Sequence, residues 1–460
     1  MLKTIPEILQ SQRRFCDTKK TQDLHFIKHC LKQLKVELIK NDQVIIEALY
    51  KDFKKPTFES VMTETEIVLA ELKHTIKNLK KWRKTKQVLP SILNFPSRDF
   101  IYKEPYGTVL CIAPWNYPYQ LALAPLIGAV AAGNTVVLKP SELTPHTSKI
   151  INNIISKVFK PEHVTVVEGG IPVATELLAQ RWDYIFFTGS VPVGKIVAKA
   201  AAINLTPVTL ELGGKSPCII DSNVNIKLTA KRIVWGKFIN AGQTCIAPDY
   251  IIIHESKKET FYDAMKTEIT SAFGKIPKDS SDFARIINER NFERLSKMLV
   301  NQSITIGGET DKSDYYIAPT LIDEPNLDSA VMRDEIFGPI LPVLTYQNED
   351  DIDEIITNYE KPLSFYVFSN SRSFAKKLIK NYAFGGGVIN DTVIHFSNSR
   401  LPFGGVGHSG MGAYHGRLSI DTFLHKKSVI KKANWLDIPV RYAPYKGKLK
   451  LIKFFLKNFY

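Results

Sequence analysis

Between residues 107 and 211 the chain alternates short, largely apolar runs with stretches of helical length, and no other feature restricts its fold as much. The runs fall at 107–113, 134–140, 163–168, 184–187 and 208–211, with helices expected over 119–132 and 147–159. A half-buried strand alternates polar and apolar residues. These runs do not, which is the pattern of parallel strands covered on both faces. Strand, helix, strand in this order implies an open, mostly parallel sheet of α/β type, and such sheets hold ligands beyond the carboxyl ends of their strands.

The flanking segments read differently. Residues 4–82 are helical: Leu24, Ile27, Leu31, Leu34 and Leu38 recur at helical spacing, as do Leu69, Leu72, Ile76 and Leu79, and these stripes are core faces. From Val88 the texture changes, with Pro90 and Pro96 followed by a strand-like 100–105 that leaves the helical layer. Beyond Cys245 strands and helices alternate again to about Gly387. A chain of 460 residues, 44% of them hydrophobic, is too long for one ordinary core, so two or three domains are expected. Cys16, Cys30, Cys111, Cys218 and Cys245 are odd in number and not closely paired, which argues against disulfides or a zinc cluster and for a reducing cytoplasm. The start, from Met1 to Pro6, has no run fit for a signal peptide, and no stretch reaches the length of a membrane span.

A formal charge of +15 points by itself to an anionic partner. Its distribution weakens that reading. Lysines are spread along the first hundred residues and again beyond Lys426, without aromatic interleaving or a nucleic-acid-binding signature, so no nucleic-acid partner is expected. The tail is a separate case. From Tyr445 onward, Lys446, Lys450, Lys453 and Lys457 interleave with Leu451, Ile452, Phe455, Leu456 and Phe459 as in a basic amphipathic helix. Such a helix either lies on an anionic membrane surface or docks on its own subunit or a partner.

Polar residues collect where the apolar runs end. Pro114-Trp115-Asn116-Tyr117-Pro118 follows the first run and Lys139-Pro140-Ser141-Glu142 the second, while Gly189 and Ser190 open a helix with Gly194 in its first turn. Free N–H groups at such a helix start suit a phosphate, although the turn also has a purely structural reading. Gly189 to Lys195 has the spacing of a nucleotide-triphosphate loop, but Ile196 stands where a serine or threonine would hold magnesium. The usual dinucleotide glycine fingerprint is absent too.

The other polar loop is Gly242-Gln243-Thr244-Cys245-Ile246-Ala247-Pro248. Cysteines that only fill space sit inside apolar runs, whereas Cys245 lies among small and polar residues where a thiolate can meet a substrate.

Taken together, the strings 114–118, 139–142, Phe187-Thr188-Gly189-Ser190, Leu210-Glu211-Leu212-Gly213-Gly214-Lys215-Ser216-Pro217, 242–245 and Glu335-Ile336-Phe337-Gly338-Pro339 resemble the ordered motifs of the aldehyde dehydrogenase superfamily. The likeness runs from about Tyr102 to Gly416. Its closing segment, residues 401–416, resembles the class 3 branch of fatty and aromatic aldehyde dehydrogenases. The resemblance implies a Rossmann-like cofactor domain (1–82 and 104–210), a catalytic domain (211–389) and a small β element (83–103 and 390–430) that bridges two subunits of a homodimer, with residues 431–460 as the tail.

It also implies roles. Cys245 is the nucleophile, and Asn116 with the Cys245 backbone N–H forms the oxyanion site. Glu211 is the base that activates water on a thioester, for which an apolar setting and a raised pKa are suitable. Glu335 holds the nicotinamide ribose and Phe337 packs near the ring, and Pro114, Trp115, Leu212 and Gly213 are further cofactor-binding residues. Lys139 and Glu142 attend the adenosine ribose, where the carboxylate favours NAD and the lysine leaves NADP open. Gly189, Ser190 and Gly194 lie near the pyrophosphate. Each residue has a plainer reading beside this one: Asn116 as a turn residue, Glu211 as a strand-end carboxylate, Glu335 at a helix start. Three further readings stand against aldehyde oxidation by water: transfer of the thioester to coenzyme A, a cysteine hydrolase using His254 or His395, and a silent binding protein.

Overall fold

The computed structural model describes residues 4–459; residues 1–3 of the amino-terminal stretch, Tyr460 and the side chains of Phe455 and Phe459 in the tail lie outside the described residues. The five apolar runs form one parallel sheet in the order Val208–Glu211, Tyr184–Thr188, Thr108–Ile112, Thr135–Lys139, Val164–Val166. Every residue of the three inner strands is buried, because helices cover both faces. From Thr108–Ile112 the chain first builds outward on one side, then returns to the other side at Tyr184–Thr188. The loops leaving these two strands therefore part from each other, and a crevice opens at their carboxyl ends.

The amino-terminal helices Leu24–Lys40 and Glu66–Arg83 pack with the fully buried helix Gln120–Ala132 over one face of this sheet. Ile5–Asp17 covers another part of it, its Gln12 amide donating to the carbonyl of Val136 at 2.9 Å. The expected stripe residues Ile27, Leu31, Leu34, Leu38, Leu69, Leu72 and Leu79 are all buried.

A second sheet takes the order Ile304–Ile306, Thr320–Asp323, Ile340–Tyr346, Tyr250–His254, Pro217–Ile220, Ser364–Phe368, Gly386–Ile389. It is parallel except at Ile304–Ile306, and it has its own core. The chain passes from the first sheet to the second across residues 212–216, since Val208–Glu211 ends one and Pro217–Ile220 begins the other. Glu211 and Leu212 thus stand at the junction.

The third sheet is antiparallel: Lys86–Val88, Ser97–Pro105 and Leu424–Lys432. It differs from the expected bridging element in two ways. The strand from Ser97 runs on to Pro105, past the boundary at 103, and residues 390–423 do not enter this sheet. They turn back instead, and Gly410–Met411 pairs antiparallel with Leu210 and Glu211 on the first sheet. Glycine permits this approach: a Cβ on Gly410 would sit 2.5 Å from the Leu210 carbonyl oxygen. Arg417–Asp421 then packs on Gln120–Ala132.

The tail forms the helix Leu449–Phe459. Leu449, Leu451, Phe454 and Leu456 are exposed, as is Trp435 ahead of them. Among the described residues no helix is long and apolar enough to cross a membrane.

Candidate active site

The loop that carries Cys245 is held by its own turn. The helix Ile226–Phe238 ends, Asn240 and Ala241 adopt left-handed backbone (φ 56° and 51°), and Gly242 follows with φ 73°. A Cβ at Gly242 would meet the Gly338 carbonyl oxygen at 2.2 Å, so glycine lets this loop lie against the one bearing Glu335. Gln243 ties the turn down: its amide donates to the carbonyls of Asn240 and Arg285 at 3.1 and 2.9 Å and accepts the Ile287 N–H at 3.0 Å.

Asn116, buried in the loop after Thr108–Ile112, donates from Nδ2 to the Gln243 carbonyl at 3.1 Å. Beside it, the Tyr117 hydroxyl meets Thr244 Oγ1 at 2.7 Å. The first crevice loop and the nucleophile loop are therefore bonded to each other. Sequence reasoning gave no role to Gln243, Tyr117 or Thr244, although all three lay within the strings it singled out.

Glu211 ends its strand 2% exposed, and neither carboxyl oxygen has a partner among the described residues. Burial pushes its pKa well above the usual carboxylate range. The Cys245 thiol is raised as well, first by burial and then by the nearby charges of Glu335 and Glu211. Burial and the acidic neighbours therefore oppose ionisation of this thiol in the protein alone.

Glu335 is at about 8, from burial and then from Asp249. Its carboxylate rests on Gly213, where a Cβ would fall 2.1 Å from Oε2. Its loop is clamped by Lys215, which pairs with Asp249 at 2.7 Å and donates to the carbonyls of Val331 and Asp334; Asp249 in turn accepts the Ile336 N–H. Phe337 meets Trp115 edge-on at 5.3 Å, which joins two of the expected cofactor-binding residues; Pro114 precedes Trp115 in the same loop. Lys237, also missed in the sequence, is fully buried with an unpartnered Nζ, and burial lowers its pKa to about 8.

Further out, Lys139 ends Thr135–Lys139 and its Nζ pairs with Glu142 at 2.8 Å, so the two ribose-end candidates face each other. Ser190 caps the start of Val191–Ile203 without a side-chain bond to it, and Gly189 precedes it. Gly194, expected near the pyrophosphate, lies in the first turn of that helix. A Cβ there would lie 2.6 Å from Leu212 Cδ2, so this glycine lets the helix close on the strand end.

A cavity of about 160 Å³ reaches Cys245 and Glu211 together. Met62, Ile67, Leu121, Trp235, Phe396 and Phe403 make most of its wall apolar. No histidine is hydrogen-bonded to Cys245 among the described residues: His254 Nδ1 bonds Ser256, and His395 Nε2 faces Ser364 at 3.4 Å. The hydrolase reading therefore lacks its base.

Two doubly covered sheets, a crevice at a topological switch point, and a cysteine and a carboxylate in one apolar cavity define an α/β oxidoreductase of the kind that handles small carbonyl compounds beside a dinucleotide. Comparison with known proteins agrees. The aldehyde dehydrogenase family model matches residues 8–429. A 4,4'-diaponeurosporen-aldehyde dehydrogenase of Staphylococcus aureus is 48% identical over 456 residues, 99% of each chain. An aldehyde dehydrogenase family 3 member A2 of Macaca fascicularis is 42% identical over 95% of this chain and 91% of its own. The solved substrate-bound state of Staphylococcus aureus AldH superposes with a TM-score of 0.97 at 47% identity, covering 99% of this chain and 100% of that one. The chain belongs to the aldehyde dehydrogenase family, whose members are oxidoreductases that use NAD(P) to oxidise aldehydes.

Proposed function

We propose that the protein oxidises an apolar aldehyde to its carboxylate through a covalent adduct on Cys245, resolved by water that Glu211 activates. The observation that carries this reading is the shared cavity: Cys245 and Glu211 line one apolar space, and the Glu211 oxygens are unpartnered and free to take a proton. Attack by Cys245 sulfur on the carbonyl carbon, with the thiol proton passing to solvent, makes an alkoxide, for which the Asn116 side-chain amide and the Cys245 N–H are the donors. The Asn116 amide is already oriented by its bond to Gln243. A nicotinamide held beside this adduct would supply the hydride acceptor that oxidation to a Cys245 thioester needs. Glu211 then takes a proton from water as the water oxygen bonds the acyl carbon and the sulfur leaves, releasing the acid. The same carboxylate disfavours coenzyme A as the acceptor.

The residues suit the cofactor. The crevice ends in the unbonded start of Val191–Ile203 for a pyrophosphate, the Glu142 carboxylate for ribose hydroxyls, and the buried Thr188 hydroxyl, which has no partner among the described residues. Gly189 and Ser190 would hold the pyrophosphate end, and Trp115, Leu212, Gly213, Glu335 and Phe337 the nicotinamide end. Glu142 makes NAD the first choice; Lys139 keeps NADP within reach. The edge Leu424–Lys432 of the third sheet supports a homodimer joined there, in a cytoplasmic enzyme. The exposed basic helix Leu449–Phe459 supports contact with an anionic membrane surface.

The test is NADH formation from a panel of aliphatic and aromatic aldehydes, with and without coenzyme A, by wild type and Cys245→Ala. Turnover that needs Cys245 and ignores coenzyme A is expected. A folded Cys245→Ala that still turns over would end this reading.

A further inference from the structure

One buried group of charges takes no part in the chemistry above. Between the helices Asp42–Phe53 and Glu66–Arg83 the chain makes the short helix Thr57–Ser60 and a π-type turn, Val61–Thr65, which carry or adjoin Lys55, Glu59 and Glu64, all buried. Turns of this type interrupt the regular bonding of a helix and are frequent at functional sites. Lys55 Nζ donates to Glu64 Oε1 at 2.7 Å and lies 3.9 Å from the centre of the Tyr117 ring. Glu64 Oε2 accepts the N–H groups of Tyr119 and Gln120 at 3.0 and 2.9 Å. Glu59 Oε2 accepts the N–H of Asn240 at 2.9 Å.

Apart from the Lys55–Glu64 pair itself, these contacts end at the two loops of the active site. Tyr117, Tyr119 and Gln120 follow Asn116, and Asn240 opens the turn to Cys245. Left-handed backbone is disfavoured for a non-glycine residue, and Asn240 and Ala241 adopt it in succession. The bond from the Asn240 N–H to the buried Glu59 carboxyl, charge-assisted when that group is ionised, offsets part of that strain. Asn240 passes the constraint on: its Nδ2 donates to the carbonyls of Asn116 and Gln243 at 2.9 and 3.1 Å, and Gln243 is also where the Asn116 amide is bonded. Apolar residues of similar volume usually stabilise an interior as well as buried charges do. What they cannot do is fix a backbone N–H in a strained turn.

We infer that Glu59 is a positioning residue, which through Asn240 sets the turn that aims both Cys245 and Asn116, while Lys55 and Glu64 fix the facing loop. Glu59 does not line the cavity that Cys245 and Glu211 share, whereas its neighbours Met62 and Thr63 do. The segment 55–65 therefore borders the substrate space on one side and holds the catalytic loops on the other. This inference rests on Cys245 being the nucleophile, and failure of that reading would be seen separately, as turnover by Cys245→Ala.

The experiment compares Glu59→Gln, which keeps an oxygen acceptor, with Glu59→Met, which does not. The readouts are kcat, aldehyde KM, and the rate at which iodoacetamide alkylates Cys245, located by peptide mapping. Ile45→Val, a core change far in sequence from both loops, controls for lost stability. Glu59→Met is expected to lower kcat about 10- to 100-fold, the scale of a misplacement of about 1 Å, and to change the alkylation rate with little effect on KM. Glu59→Gln should stay within about threefold of wild type on both. Wild-type kcat and alkylation in Glu59→Met, or equal losses in Met and Gln variants that track thermal stability as in Ile45→Val, would overturn the inference. Should Glu59→Met not fold, Glu59→Asp, which withdraws the carboxylate by one methylene, takes its place under the same criteria.

Discussion

Glu211→Gln separates the second half of the proposed reaction from the first. The change is nearly isosteric, and the site already lacks partners for both side-chain oxygens, so the amide meets the same unsatisfied surroundings as the neutral carboxyl. A difference in stability within about 1–3 kcal/mol bounds it. Its pH trend has a definite sign. The carboxyl is raised well above its unfolded value by burial, so the folded state prefers the protonated form. Wild-type stability is then fully present below the unfolded pKa, about 4.3, and falls as the pH rises toward the raised folded value, while the amide variant lacks that term. Catalysis moves the other way: the base form of wild type grows with pH. Removing a general base costs about 10²–10⁴ in rate. Because adduct formation on Cys245 and hydride loss do not use Glu211, stopped-flow absorbance should show one NADH per active site in a fast burst, then a slow rate that no longer follows the Glu211 titration. A variant without a burst whose steady rate keeps the wild-type pH profile would refute the assignment of Glu211 as the base.

Two other outcomes follow from contacts away from the chemistry. Lys215→Met leaves Asp249 charged and unpaired in a site where the two side chains are 4% and 5% exposed, and frees the loop that carries Glu335; calorimetry should show a loss of about 3–5 kcal/mol, partly recovered in Lys215→Met/Asp249→Leu. Removing residues 445–460 takes away exposed side chains, so the thermal midpoint should hold to within about 0.5 kcal/mol of stability while co-sedimentation with anionic vesicles is lost; unchanged co-sedimentation would sink the membrane reading.

The first sheet was legible because its strands are buried on both faces. Val109, Leu110 and Cys111 have no polar side to conceal, and the crossover Gln120–Ala132 is just as apolar. The strand-end loops were legible because a proline or glycine marks each one. The course of residues 390–423 was not. Its pairing with Leu210 and Glu211 depends on two residues, Gly410 and Met411, too short a run to carry a period, and its glycines matter through a neighbour distant in sequence. The steric partner of Gly194 was hidden for the same reason: Leu212 lies across the helix–strand contact.

The hardest feature to read was the state of Cys245. A loop of glycine, glutamine and threonine looks polar in one dimension, which is why a thiolate seemed natural there. In three dimensions Gln243 and Thr244 turn their polar groups to the scaffold, toward Arg285, Ile287 and Tyr117, and the sulfur is left with an apolar wall and two carboxyl groups. The same hydrogen bonds that make the loop rigid remove its polarity from the site. Ionising the thiol there is opposed by burial and by any charge on Glu335 or Glu211, so the thiol and the carboxyl groups are coupled, and the first proton to leave the group makes the next harder to remove. An active site built this way opposes ionisation of its nucleophile, and its reactivity toward iodoacetamide is expected to rise continuously through the alkaline range. A plateau below neutral pH would mean that a positive charge absent from this arrangement stabilises the thiolate.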